Sequence, residues 1–255
     1  MIKFFRQIRQ KLLSGGNTGR YLKYAVGEII LVMIGILLAL QVNNWNNHRI
    51  EKVKEQAVLK NLRIDFKNNI ENLDKAYNSF KEAYEASVSL LEIIKDSSAL
   101  DSEEVERLVD NVINKTQSFD FITGSINEIF NTGSLHMISD PALRKQISNW
   151  PYYFTDTEDD IVIYRDYLFG VFIPSLTEKV RLRNMSVPSF FEKDLDLKAI
   201  SKSSFNLDYT QTIRTVEFEN QVYNNALNYM YVINSYRIFQ NYLEDTLALI
   251  ETNIQ

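Results

Sequence analysis

The sequence predicts an all-α protein: an N-terminal amphipathic helix and one transmembrane helix, followed by an antiparallel helical bundle with long first and last helices. Three observations carry this reading. Ala25–Val42 is apolar except for Glu28 and Gln41. From Trp45 to Lys95 there is no Gly or Pro, and the apolar side chains Ile50, Val53, Ala57, Leu62, Phe66, Ile70, Leu73, Tyr77, Phe80, Tyr84, Val88, Leu91 and Ile94 recur at steps of mostly three and four, which places them on one helix face. Glu217–Ile250 repeats that pattern through Val222, Ala226, Tyr229, Ile233, Tyr236, Phe239, Leu243 and Leu247.

Composition agrees. The chain has 255 residues, 45% hydrophobic and 24% charged, with a net charge of −5. Those values exclude collagen, wholesale disorder and a multi-span transporter. The absence of cysteine excludes disulfides, thiolate metal sites and a thiol nucleophile. The acidic balance speaks against nucleic acid as a partner. The average conceals a division, however. Residues 1–24 carry six basic side chains and no acid, residues 25–42 carry only Glu28, and residues 43–255 are ten charges negative. The expected organisation is a basic amphipathic segment and linker over 1–20, a transmembrane helix over 21–45 and a helical domain over 46–255.

Ile2–Leu13 places Ile2, Phe5, Ile8 and Leu12 on one side and Lys3, Arg6, Arg9 and Lys11 on the rest. That pattern suits a helix lying in the headgroup plane, or simply a basic tail that directs insertion. The glycines of residues 15–19 form the turn into the span.

Ala25–Val42 covers about 27 Å as a helix, close to the roughly 30 Å hydrocarbon core. Tyr21 and Tyr24 flank one end and Trp45 the other, as depth-setting rings do. A cleaved signal peptide fits less well. The basic region is long, and Gln41 breaks the small-x-small exit that begins at Ala39. Six basic residues precede the span, and four follow within 18 residues (Arg49, Lys52, Lys54 and Lys60), which favours a cytoplasmic N-terminus. Glu28 reads either as a functional intramembrane carboxylate or as one that snorkels and pairs near the boundary. Gly35 and Ala39 form a small-xxx-small pair suited to helix contact.

The helix after the span is expected to run for up to about fifty residues as stalk and then bundle, with a break near Asn43–Asn47. Asp101-Ser102-Glu103-Glu104 reads as a capping box opening a helix to Asn114. Ser125–Thr132 reads as a helix closed by a left-handed Gly133. Asp140 then caps a helix with Pro141 at its first position. Pro151 and the run Thr155–Asp160 mark a junction, Ile161–Ile173 is a buried helix rather than a strand, and Pro188–Ser204 is a connector.

Phe4-Phe5-Arg6-Gln7-Ile8-Arg9, Tyr24-Ala25-Val26-Gly27-Glu28-Ile29, Ile34-Gly35-Ile36 and Ala39-Leu40-Gln41-Val42-Asn43-Asn44-Trp45 together resemble an uncharacterised family of single-pass membrane proteins from Bacteroidota-type bacteria, a domain of unknown function. Ile129–Leu135 with Asp140, Leu143, Arg144 and Ile147 resembles a second, looser motif, with Phe130 where an aliphatic residue is expected. The resemblance implies a location and an architecture, and no activity. It gives Glu28, Gly35, Ala39, Gln41 and Trp45 weight as membrane-contact candidates.

The catalytic signatures weighed are not met. Ser134, His136 and Asp140 lie too close in sequence for a triad built around a nucleophile turn. There is no Glu-x-x-His, His-Glu-x-x-His or phosphate loop. No cofactor is expected, and Glu158-Asp159-Asp160 lacks calcium-loop spacing. Tyr152, Tyr153, Phe154, Tyr164, Tyr167, Phe169 and Phe172 crowd one stretch, as a ligand pocket, a core or a partner surface. Gly133, Arg144, Tyr152 and Tyr153 are the domain-interaction candidates, Arg144 by clamping a carboxylate, an internal one in preference to a ligand's. The expected role is a non-catalytic, membrane-anchored interaction or sensor module in the inner membrane, with its C-terminal domain periplasmic. The bilayer and a protein partner or second copy are its contacts. The rival role is a self-associating scaffold, and the stalk is its candidate coiled coil.

Overall fold

The computed structural model describes residues 18–96, 98–116, 119–185 and 195–254. The predicted amphipathic helix at Ile2–Leu13 and most of the glycine turn lie outside them. The described residues are all-α, without a strand. The helices are α1 (Thr18–Lys95), α2 (Ser102–Asn114), α3 (Gly124–Thr132), α4 (Pro141–Ser148), α5 (Trp150–Tyr167), α6 (Tyr209–Ile213) and α7 (Val216–Asn253). Short 3₁₀ turns occupy Ser134–Met137 and Leu182–Asn184. Two compact units divide at Ala57 and Val58, inside α1.

The first unit, up to Ala57, contains the apolar part of α1, which lies near the N-terminus and is, among the described residues, the one helix long and apolar enough to cross a membrane. Its large apolar side chains between Ile29 and Leu40 are 51–61% exposed, on every face of the helix. The expected break near Asn43–Asn47 does not occur, because α1 is continuous for 78 residues. The asparagines there keep their backbone in the helical ladder, and Asn46 also accepts a hydrogen bond from Arg49, one turn on, at 3.3 Å.

The second unit, from Val58 on, is the bundle. Its register is legible in contacts between distant residues. Arg63 and Lys67 pair with Glu251 at 3.2 and 2.7 Å, while Phe80 packs against Tyr229 and Tyr236, so α1 and α7 are antiparallel. Tyr153 stacks on Tyr242, and the Tyr167 hydroxyl donates to the Gln221 carbonyl, so α5 and α7 are antiparallel too. α5 therefore runs parallel to α1, meeting it at Phe66–Trp150 and Phe80–Tyr164. α2 returns along α1, with Lys115 paired to Glu82 at 3.3 Å. The order is up-down-up-down, the usual solution for helices that each bury one stripe.

The buried stripe of α1 is Leu59, Leu62, Phe66, Asn69, Leu73, Ala76, Phe80, Ala83, Ser87 and Leu90, with steps that alternate three and four. α7 does the same through Phe218, Val222, Asn225, Tyr229, Val232, Tyr236, Phe239, Leu243, Thr246 and Ile250. An average step of 3.5 is the seam spacing that keeps two long helices facing each other. The sequence reading followed large apolar residues and so rotated the α1 stripe toward Ile70, Tyr77, Tyr84 and Val88. These flank the true seam, and Val88 is exposed. Small residues occupy the seam at Ala76, Ala83 and Ser87 because large neighbours such as Phe80 need the room.

Local signals account for the short helices. Asp101 accepts from the Glu103 amide at 3.0 Å, but Glu104 does not complete a capping box. It grips Arg107 instead, through Nη2 at 2.6 Å and Nε at 2.9 Å. Thr123 makes no side-chain cap for α3; Asp65 of α1 does, accepting from the Ser125 amide at 2.9 Å. Asn69 of α1 holds the preceding segment by accepting from Ile122 N at 2.8 Å and donating to Ile122 O at 2.9 Å. The expected junction at Pro151 and Thr155–Asp160 is helix instead. Pro151 lies in the first turn of α5, where its missing N–H leaves no ladder bond unmade. At the far end Pro174 cannot donate, and the helix before it widens into a π turn over Leu168–Phe172, with Ile173 N bonded to Leu168 O. Of the predicted connector Pro188–Ser204, residues 195–204 carry no helix, and the part before them lies outside the described residues.

Candidate functional site

On the apolar segment of α1, Glu28, Gly35 and Ala39 share one face, since seven residues return to within about 20° and four more add about 40°. Gln41 and Trp45 lie round the other side. Glu28 is half-buried in a shallow groove with Lys23, Tyr24, Gly27 and Leu31, where Gly27 contributes no side chain. Beyond the adjoining backbone of its own helix, nothing lies within 4 Å of where a Cβ on Gly35 would stand. The face is therefore small, apolar and open, with one carboxylate near its start.

In the bundle, the largest polar constellation is one the sequence reading did not find. Glu106 of α2 is buried, and its carboxylate accepts from Arg181 Nε and the Tyr209 hydroxyl, both at 2.6 Å, and from Asn184 Nδ2 at 3.0 and 2.9 Å. Arg181 also donates to Phe205 O at 3.1 Å and lies over the Tyr209 ring. Asn184 Oδ1 accepts from Ser203 N at 2.8 Å. Burial pushes the Glu106 carboxyl up, but hydrogen bonds from Tyr209, Asn184 and Arg181, with the Arg181 charge, outweigh it and hold the carboxyl below its ordinary range. Both carboxylate oxygens accept, Oε1 from three side chains and Oε2 from Asn184, so the cluster is a clamp that ties the 181–209 connector to α2. Its members lie up to 103 positions apart, beyond the reach of any local pattern.

A cleft of about 420 Å³ opens between α1, the end of α2, α5 with its π turn, and α7. Phe80, Tyr164, Leu168 and Tyr236 form its floor and are buried, while Arg165 and Phe169 stand exposed at its rim. Phe80 centres the floor, with ring centroids 5.1 Å from Tyr164 and 5.5 Å from Tyr236, both edge-on. The Tyr164 hydroxyl donates to Thr116 Oγ1 at 2.8 Å, and that of Tyr229 donates to Val112 O. The Tyr236 hydroxyl has no hydrogen-bond partner among the described residues, although the residue is fully buried. Burial, then the charge of Glu158 and the neighbouring Tyr164, push the Tyr236 hydroxyl up, and Arg165 offsets this only in part. The group is therefore a neutral donor throughout the physiological range.

The residues singled out from sequence are dispersed. Thr132 donates to Glu128 O at 2.7 Å and lies 2.8 Å from Ser134 Oγ, His136 Nδ1 is 2.9 Å from Gly133 O, and Asp140 accepts from Leu143 N at 2.6 Å as the cap of α4. Each is engaged locally, as expected for a helix-linking loop. Gly133 is left-handed, with φ of 65°, and its amide closes α3 as predicted. Arg144 clamps no carboxylate among the described residues. It reaches Ser139 O at 3.4 Å and leaves Nε buried and unbonded, because Asp140 is already committed to its cap. The aromatic crowd splits: Phe172 and Tyr164 are core, Tyr152 and Phe169 are exposed, and Tyr153 is half-buried on Tyr242. Asp160 of the acidic run accepts from Ser235 of α7. His48, at the far edge of the apolar segment, is exposed and 3.5 Å from Glu51.

The profile of a family of unknown function, DUF6090, matches residues 28–220. No curated protein and no solved structure matches the chain.

Proposed function

Because the chain belongs to the DUF6090 family, whose function is unknown, we propose its role from its own residues: a membrane-anchored helical interaction or sensor module without catalytic activity. It sits in the inner (cytoplasmic) membrane by a single span, with the N-terminus cytoplasmic and the helical domain periplasmic. One observation carries the reading, the all-round exposure of Ile29–Leu40 on α1. Ten large apolar side chains left half-exposed amount to on the order of 1,000 Å², where a monomer in water rarely shows more than a few hundred. Lipid removes that penalty on every face at once. The same helix supplies the central seam of the bundle, which gives an event in one unit a covalent route to the other. The non-catalytic part of the reading is supported by how the polar groups are engaged. The Glu106 carboxylate is engaged by Arg181, Asn184 and Tyr209, and Ser134, His136 and Asp140 each bond within their own loop.

The absence of native cysteine makes the test clean. Single cysteines replace Ser14 and, separately, the exposed Ser89, and intact cells are treated with an impermeant maleimide. The expected result is a chain that resists alkaline extraction and is labelled from outside at position 89 but not at position 14. Release by alkali refutes the anchor, and the reverse labelling refutes the orientation.

A further inference from the structure

We propose that the outer face of α7 is the surface through which two copies of this chain pair, with their α7 helices side by side and parallel.

A helix on the outside of a bundle ordinarily turns a charged face to water. α7 does not. Its buried stripe runs through Tyr229, Val232 and Tyr236, and on the opposite side Tyr223, Met230, Tyr231 and Ile238 are 40–62% exposed, with Leu227 half-buried between them. From Asn220 to Leu243 the only charged side chain is Arg237, in a chain that is 24% charged. Exposed tyrosine and methionine with charge depleted is the composition found at the centre of protein interfaces. The four exposed side chains show on the order of 400 Å² to solvent. An adjoining groove of about 290 Å³ adds Tyr77 and Tyr84 of α1 and Ile233 of α7. Together they approach the roughly 800 Å² per partner of a standard interface.

Spacing and charge select a second copy as the occupant. Tyr223, Leu227, Met230 and Asn234 follow at steps of four, three and four, the spacing of a coiled-coil seam. Asn234 is the one polar member. A lone asparagine in an apolar seam is matched best by the same asparagine of an identical helix in register. Its Oδ1 accepts from Arg237 Nη2 at 3.0 Å, and its Nδ2 has no partner among the described residues. Residues 43–255 are ten charges negative, so two such domains repel wherever their acids face each other. The α7 face has no acid between Asn220 and Leu243, and the groove beside it is edged by Lys81 and Arg237, neither of which pairs with a carboxylate among the described residues. Two chains anchored in one membrane meet with their bundles pointing the same way, and a two-fold axis then sets each seam residue against its own copy. The tether also raises their effective concentration. The proposal gives the interaction reading its partner. The parallel sense rests on the anchor in that reading; the surface itself does not.

The experiment uses the full chain in native membranes, where the absence of native cysteine leaves single replacements as the only thiols in the chain. Tyr223→Cys and Asn234→Cys, about three turns apart on the seam, are oxidised with copper phenanthroline. Ile64→Cys, equally exposed but on α1, is the control. Both seam positions are expected to give a disulfide-linked dimer of the chain with itself, identified by mass, and the control is expected to give none. An antiparallel pair would bring no more than one of the two onto its copy. Adding Met230→Glu to Asn234→Cys places like charges opposite each other and should lower the dimer yield about tenfold or more, with an unchanged helical circular dichroism spectrum. Seam yields no higher than that of Ile64→Cys overturn the proposal, as does a yield unaffected by Met230→Glu or an adduct with a different protein in place of the dimer. A chain that resists alkali but forms no seam dimer removes this interface alone. A chain released by alkali removes the anchor, and the same crosslinks still decide whether the α7 faces pair.

Discussion

Replacing Glu106 by alanine should be among the most damaging single changes in the bundle. Glu106 is 8% exposed, and its carboxylate accepts from three side chains of the 181–209 connector. Removing one partner of a buried charge pair typically costs about 3–5 kcal/mol. Arg181 keeps its bond to Phe205 O and some access to water, so the lower end, about 3 kcal/mol, is the expected loss. For a unit the size of Val58–Gln255, that lowers the melting temperature by about 6–12 °C. Helical circular dichroism followed through the melt measures it. The carboxyl is held below its ordinary value of 4.5, so the stability it lends is present above that pH and lost as pH falls through the folded-state value. Glu106→Gln should therefore lower stability at pH 7 and flatten the decline below about pH 4.5 relative to the parent. A melting temperature of Glu106→Ala within 2 °C of the parent, or a parallel acid decline in Glu106→Gln, would refute the clamp.

Three further outcomes follow from the geometry. Gly133→Ala forces a side chain into the left-handed region and should lower stability by roughly 1–2 kcal/mol, read from a denaturant midpoint. Asn69→Ala frees both the N–H and C=O of Ile122 and should lower stability by about 2–3 kcal/mol, with faster amide exchange at Ile122 than at distant α7 positions as its signature. Gly35→Leu fills the open face it shares with Ala39. If the chain self-associates there, crosslinking in native membranes should yield less dimer than the parent, and an unchanged yield places any self-association elsewhere.

Much of the chain was legible in sequence because its signals are local. The apolar run, the Asp101 and Asp140 caps, Gly133 at its left-handed position and the periodicity of α7 each depend on neighbours within a turn or two. Local signals also misled where one residue type serves two ends. Pro151 suggests a boundary but sits comfortably in a first turn, and Glu104 completes a capping pattern in sequence while binding Arg107 in space. The rotated stripe on α1 has the same origin: size and hydropathy do not say which face a small residue occupies, and Ala76, Ala83 and Ser87 are buried in the seam beside large side chains such as Phe80.

By itself, then, the sequence determined that the protein is helical, that its first and last helices are long, and that one apolar segment near the N-terminus is of membrane length. Periodicity and composition are properties of consecutive residues, and burial of one face follows from them. The tertiary structure alone decided where polar groups meet. Glu106, Arg181 and Tyr209 form one clamp, and Phe80, Tyr164 and Tyr236 form one floor, because antiparallel packing brings together side chains separated by scores of positions. Which buried hydroxyl finds a partner in the core, and which does not, is settled only when the helices are in contact.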